Sequence, residues 1–141
     1  MSRARSKARR GALQALYQWQ LSGDDSLSSI EAQLLAEREL GDIDVDYFHE
    51  LLTQVDRRWA EFDTRLAPML DRPLEQLDPV ERAILWLGLY ELDARWDIPF
   101  RVVISEALEL AKQFGGDQAH RYVNAVLDRL ARELRVAERA L

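Results

Sequence analysis

Five cationic side chains crowd the first ten residues, Arg3, Arg5, Lys7, Arg9 and Arg10, and no acid appears before Asp24. Cations at this density have the chemistry of phosphate contact. They displace counterions condensed on a polyanion, and that effect follows local rather than net charge. The whole chain carries a formal charge of −6, so the arm is a basic patch on an acidic body. Residues 24–97 hold 19 acids against 7 bases, and residues 98–141 hold 7 bases against 6 acids. A solvated, disordered tail is the competing reading of the same arm.

Other chemistries find no support. His49 and His120 lie far apart in sequence with no HExxH arrangement, so no metal site is expected. There is no cysteine, which removes disulfides, thiol catalysis and cysteine-bound zinc and fits a reducing cytoplasm. Neither a GxxxxGK[ST] nor a GxGxxG phosphate loop occurs, and Gly115-Gly116 reads first as a helix terminator. The 25 carboxylates are spread over helical faces with no distinguished pair. No βαβ pattern or glycine-rich nucleotide turn is present. These features imply a chain that is not an enzyme and needs no cofactor. No apolar run of membrane-spanning length and no signal-peptide core are seen, so a cytoplasmic location is expected.

The elements that must position these residues read as all-α. Hydrophobic residues make up 48% of the chain, enough for a packed core. Apolar residues recur at helical spacing almost throughout. The first helix starts within the arm and runs to about Leu21, before Ser22-Gly23-Asp24-Asp25. A second covers about Leu27 to Leu40, ahead of Gly41. A third runs from about Asp44 to Leu66, where Pro68 ends or kinks it. A short turn over Met69 to Arg72 follows. Asp78-Pro79-Val80-Glu81 is a helix start with an N-cap, a proline at the first position and a capping-box acid. The helix it opens, to about Arg95, is apolar nearly all round, which suits a central core element or one covered by a partner. The next runs from about Pro99 to Phe114. The last is capped by Asp117 and carries Val123, Val126, Leu127, Leu130 and Leu134. Seven helical pieces suggest two three-helix layers, with subdomains 1–70 and 71–141.

Three blocks together resemble one family. They are Ala8 to Trp19 (ARRGALQALYQW), Leu77 to Leu92 (LDPVERAILWLGLYEL), and Val102 to Gly115 (VVISEALELAKQFG) continuing into His120 to Asp128 (HRYVNAVLD). These are similar to blocks of the NusB family, in the same order and without a large insertion, and the resemblance covers nearly the whole chain. The resemblance implies an all-α fold of two roughly perpendicular three-helix bundles. It implies binding of boxA-type single-stranded RNA together with the ribosomal small-subunit protein NusE, other Nus factors and RNA polymerase, in antitermination of ribosomal RNA transcription. No catalysis, cofactor or membrane is implied. Some relatives pair with themselves, so a self-associating helical interaction module is the alternative.

Residue by residue, the resemblance places RNA contacts at Arg5, Lys7 and Arg9 in the arm. Arg10, Gln14 and Tyr17 share a helix face beside it, so Tyr17 offers either a stacking surface or an ordinary core aromatic. Around the Gly115-Gly116 turn it points to Lys112, His120, Arg121, Tyr122 and Asn124 as further RNA contacts, with Tyr122 in place of the usual Phe. Asn124 has backbone bridging as its other reading. The partner surface falls at Glu81, Trp86 and Tyr90. Glu81 also reads as the capping-box acid, and Trp86 as either core or an exposed apolar anchor. Gln118, Ala119, Ser105, Ala125 and Trp86 stand where many relatives carry other residues.

Overall fold

The computed structural model describes residues 2–38 and 40–139. Among the described residues seven α-helices follow in order: α1 (Arg3–Ser22), α2 (Leu27–Glu37), α3 (Val45–Leu66), α4 (Pro79–Ala94), α5 (Phe100–Phe114), α6 (Ala119–Leu134) and α7 (Val136–Arg139). Two 3-10 turns, Ala67–Met69 and Leu74–Gln76, join α3 to α4. Among the described residues there is no strand, as the periodicity predicts. The chain divides into two compact units, and the division falls inside α3 between Arg58 and Trp59.

In the first unit the basic arm is helix, which corrects the reading of a disordered tail. Ser2 starts α1 by accepting a hydrogen bond from the Arg5 backbone N–H at 3.2 Å. A tertiary bond fixes the same turn, because the Asp44 N–H donates to the Ala4 carbonyl at 3.1 Å. Asp44 in turn caps α3, its Oδ1 accepting from the Tyr47 N–H at 3.0 Å. Ser26 caps α2 through the Ser29 N–H at 3.1 Å. This helix ends at Glu37, earlier than the glycine signal suggests, because Arg38 itself takes the left-handed conformation at φ 55°. Ala8, Ala12 and Leu16 of α1, Leu27, Ile30 and Leu34 of α2, and Phe48, Leu51 and Val55 of α3 are buried and supply the core of this unit. Burying each large side chain contributes about 1.5–3 kcal/mol.

The second unit is built on α4, α5 and α6, which pack pairwise. Asp78 starts α4 with a 2.7 Å bond from the Val80 N–H, and Pro79 occupies the first turn. Every residue from Ala83 to Leu92 is buried, so α4 is the central helix that its all-round apolarity predicts. The far ends of α4, α5 and α6 meet at Arg135, which is 0% exposed. Its guanidinium donates to the carbonyls of Leu92 at 2.8 Å, Glu91 and Arg95 at 3.0 Å, and Ile98 at 2.9 Å. These are carbonyls at and just beyond the negative end of the α4 dipole. Arg135 also pairs with Glu138 Oε1 at 2.6 Å, and Glu138 Oε2 accepts the Phe100 N–H at 2.8 Å. One ion pair, buried on its arginine side, therefore closes the C-terminus of α4 and caps the N-terminus of α5.

Candidate functional site

On α1 the cations separate into two kinds. Arg5 and Arg9, one helical turn apart, lie over the ring of Tyr47 at 4.7 and 5.4 Å from its centroid. Arg9 is only 3% exposed. The expectation of a phosphate contact at Arg9 is therefore corrected: its guanidinium is held inside the unit on an aromatic face, where a cation is stabilised by the ring quadrupole. Lys7 is partly exposed, whereas Arg3 and Arg10 face solvent. Arg10, Gln14 and Tyr17 share the exposed face that their spacing predicts. Tyr17 is 40% exposed, so it is a surface aromatic rather than a core one. It opens onto a groove lined also by Gln14, Gln18, Leu21, Ser22 and Asp25. Sequence reasoning does not single out Tyr47. Its only signal is an aromatic three residues after the Asp44 cap, and the pairing with α1 is long-range.

In the second unit, the turn between α5 and α6 forms a recess lined by Ala111, Lys112, Gly115, Gly116, Asp117, Gln118 and His120. Glycine at 115 is required by close approach. A β-carbon there would lie 2.7 Å from the Ala111 carbonyl oxygen and 2.6 Å from Ala119 Cβ. Ala119, one of the positions that departs from many relatives, is buried against this point. The expected cap by Asp117 is not made. Gln118 precedes α6 in the left-handed conformation at φ 68°, and its carbonyl accepts from Arg121 and Tyr122 N–H. Lys112, Arg121 and Asn124 are exposed, and His120 is partly so. The turn thus brings Lys112 and His120 to one recess, with Arg121 following on α6.

Tyr122 is half-buried rather than open. The Arg72 guanidinium lies 4.4 Å from its ring centroid. Burial pushes the Tyr122 phenol above its ordinary value, and Arg72 opposes that shift. Arg72 is bonded through Nε to Asp71 Oδ1 at 3.0 Å, which holds it more firmly charged. Glu81, in the first turn of α4, is raised above the usual carboxylate range by burial, with Arg72 pulling the other way and Asp78 and Asp71 adding to the rise. Asp71 and Asp78 are exposed and act on it, an acidic corner suited to a cationic partner.

The other two residues expected at a partner surface lie inside the fold. Trp86 is 2% exposed, and its indole N–H donates to Asp63 Oδ1 at 2.8 Å. Asp63 also binds Arg82, whose guanidinium lies over the Trp86 ring. An aromatic with its polar edge satisfied on α3 is core, so the exposed-anchor reading of Trp86 is corrected. Tyr90 is likewise buried. Glu81 is the accessible member of the three.

Among the described residues no group of three His, Asp or Glu side chains is placed to hold a metal ion, and no helix is long and apolar enough to cross a membrane.

Residues 6–132 match the model of the NusB family. A relative from Alcanivorax borkumensis, a transcription antitermination protein NusB, is 55% identical over 135 residues, covering 96% of this chain and 89% of the relative. A protein of the same description from Halorhodospira halophila is 56% identical over 137 residues, covering 96% and 87%. Among solved structures, NusB from T. maritima superposes with a TM-score of 0.86 at 29% identity, over 100% of both chains. A crystal structure of antitermination factors NusB and NusE in complex with double-stranded RNA matches with a TM-score of 0.84 at 27% identity, over 94% of this chain and 99% of that one.

Proposed function

The chain belongs to the NusB family, and from that premise we propose that it is a transcription antitermination factor that binds RNA together with the ribosomal protein NusE. The preferred RNA is a boxA-type single strand, and the complex includes other Nus factors and RNA polymerase. The protein acts by binding alone, without catalysis, in the cytoplasm. The observation that carries this reading is the pairing of full-length likeness to antitermination proteins with exposed cations at two places.

Arg10 and Tyr17 lie two turns apart on one exposed face of α1, with Gln14 between them and Lys7 about one turn before Arg10. Cations of this kind hold phosphates, and an exposed aromatic next to them gives a base a surface to stack on. Lys112, His120 and Arg121 at the α5–α6 turn form the second set, with Asn124 exposed further along α6. Arg5 and Arg9 act on Tyr47 and shape the α1 face from inside. Glu81 and the acids around it receive the basic partner.

The test is fluorescence anisotropy with a boxA-type RNA and a scrambled control across salt concentrations, with and without the partner. The expected result is tighter binding of the boxA-type strand, further strengthened by the partner, with a steep salt dependence. Equal affinity for both RNAs with and without the partner would overturn the reading.

One observation favours self-association as a second reading. Leu21 is 60% exposed beside Tyr17, an apolar surface that a second copy would cover. Sedimentation at micromolar concentration separates the two readings, because a stable dimer that excludes RNA supports the second.

A further inference from the structure

Arg72 lies between the two 3-10 turns, an exposed cation in an acid-rich stretch. The segment that carries it is tied to α6 by Arg129, whose Nη1 donates to the Met69 carbonyl at 3.1 Å. Its guanidinium rests 4.4 Å from the centroid of the half-buried Tyr122 ring. Asp71 holds its Nε at 3.0 Å. Glu81 lies within electrostatic reach of the same group. The guanidinium therefore rests on an aromatic ring and is bonded to one carboxylate, Asp71, while Glu81 acts on it through its field alone. Tyr122 belongs to the region assigned to RNA, and Glu81 to the region assigned to a basic partner. While Arg72 covers the ring, a nucleobase cannot stack on that face.

We propose that Arg72 is a positioning residue that couples the two binding events. A cationic group of the partner engages Glu81, weakens the hold of the acidic corner on Arg72, and lets the guanidinium leave the Tyr122 ring. The ring face is then open to a base, and the released cation is available to a neighbouring phosphate. By linkage, RNA that displaces Arg72 strengthens partner binding by the same factor. The proposal rests on the RNA-and-partner reading above.

The experiment measures affinity for a boxA-type RNA by anisotropy, in the absence of purified partner and at saturating partner. The ratio of the two affinities is the enhancement factor. Arg72→Ala is expected to reduce that factor by roughly threefold or more, while its melting temperature stays that of the unsubstituted protein because Arg72 is exposed. Glu81→Gln, measured without partner, is expected to bind RNA more tightly than the unsubstituted protein, because the substitution imitates a neutralised Glu81. If Arg72→Ala lowers RNA affinity equally with and without partner, Arg72 is a phosphate contact only and the coupling is refuted. An unchanged enhancement factor refutes it as well. If the unsubstituted protein shows no enhancement, the RNA-and-partner reading fails first and the coupling falls with it.

Discussion

The face of α1 and the turn between α5 and α6 both present cations, but they are built in opposite ways. On α1 an aromatic underneath sorts the charges: Tyr47 draws Arg5 and Arg9 onto its ring, while Arg10, one residue on, is left to solvent. At the turn no ring does this for Lys112 or His120. A missing side chain does the shaping, because only glycine at 115 lets α5 and α6 meet closely enough to form the recess. A count of cations along the sequence cannot separate these cases. The difference lies in which guanidinium has an aromatic or carbonyl partner brought to it from elsewhere in the chain.

The largest test of this contrast is at the supports of the turn. Helices α5 and α6 meet at Gly115, and beyond their opposite ends Arg135 and Glu138 join the segment after α6 to the start of α5. Arg135→Ala leaves Glu138 without its buried partner and strips donors from four carbonyls. The expected loss is about 3–5 kcal/mol of unfolding free energy in urea titration, and a loss under about 1 kcal/mol would deny Arg135 this role. A middle-sized test sets neighbours on α1 against each other. Arg9→Ala is expected to cost about 2 kcal/mol of stability, since it removes a buried cation from an aromatic face. Arg10→Ala leaves stability unchanged and lowers the salt slope of RNA binding by about 1. Reversed outcomes would mean that burial does not divide the arm into structural and binding cations.

The smallest effect concerns pH. Burial raises Glu81, so the folded protein binds that proton more tightly than the unfolded chain does. The stability this group contributes is fully present below the ordinary glutamate range and is lost as pH rises through its raised value. Against Glu81→Gln, the unsubstituted protein should therefore lose melting temperature as pH climbs above the ordinary glutamate value of about 4. Parallel curves would show that Glu81 is solvated like any surface carboxylate.

The helices and their starts were largely legible because they rest on local chemistry. Asp78-Pro79 announces α4 on its own, and the all-round apolarity of Ala83 to Leu92 announces its burial. What stayed hidden depends on partners distant in sequence. Trp86 suits the core because Asp63, 23 residues earlier, accepts its N–H. Arg135 looks like one more surface arginine until four carbonyls from two earlier segments surround it. The start of α6 departs from its sequence signal for a different reason. Asp117 has the right side chain for a cap, but the backbone turns at Gln118 instead. At the candidate site, the exposed face of Arg10 and Tyr17 followed from spacing, whereas the cover that Arg72 places on Tyr122 did not.

The bond from Asp44 to Ala4, together with the Ser2 cap, fixes the first turn of α1 before any ligand arrives. A polyanion approaching this helix meets a preorganised row of charges. The backbone entropy of ordering a basic segment is then spent during folding and is not subtracted from affinity. Association becomes a docking event governed by long-range electrostatic steering, so ionic strength acts chiefly on the rate of encounter.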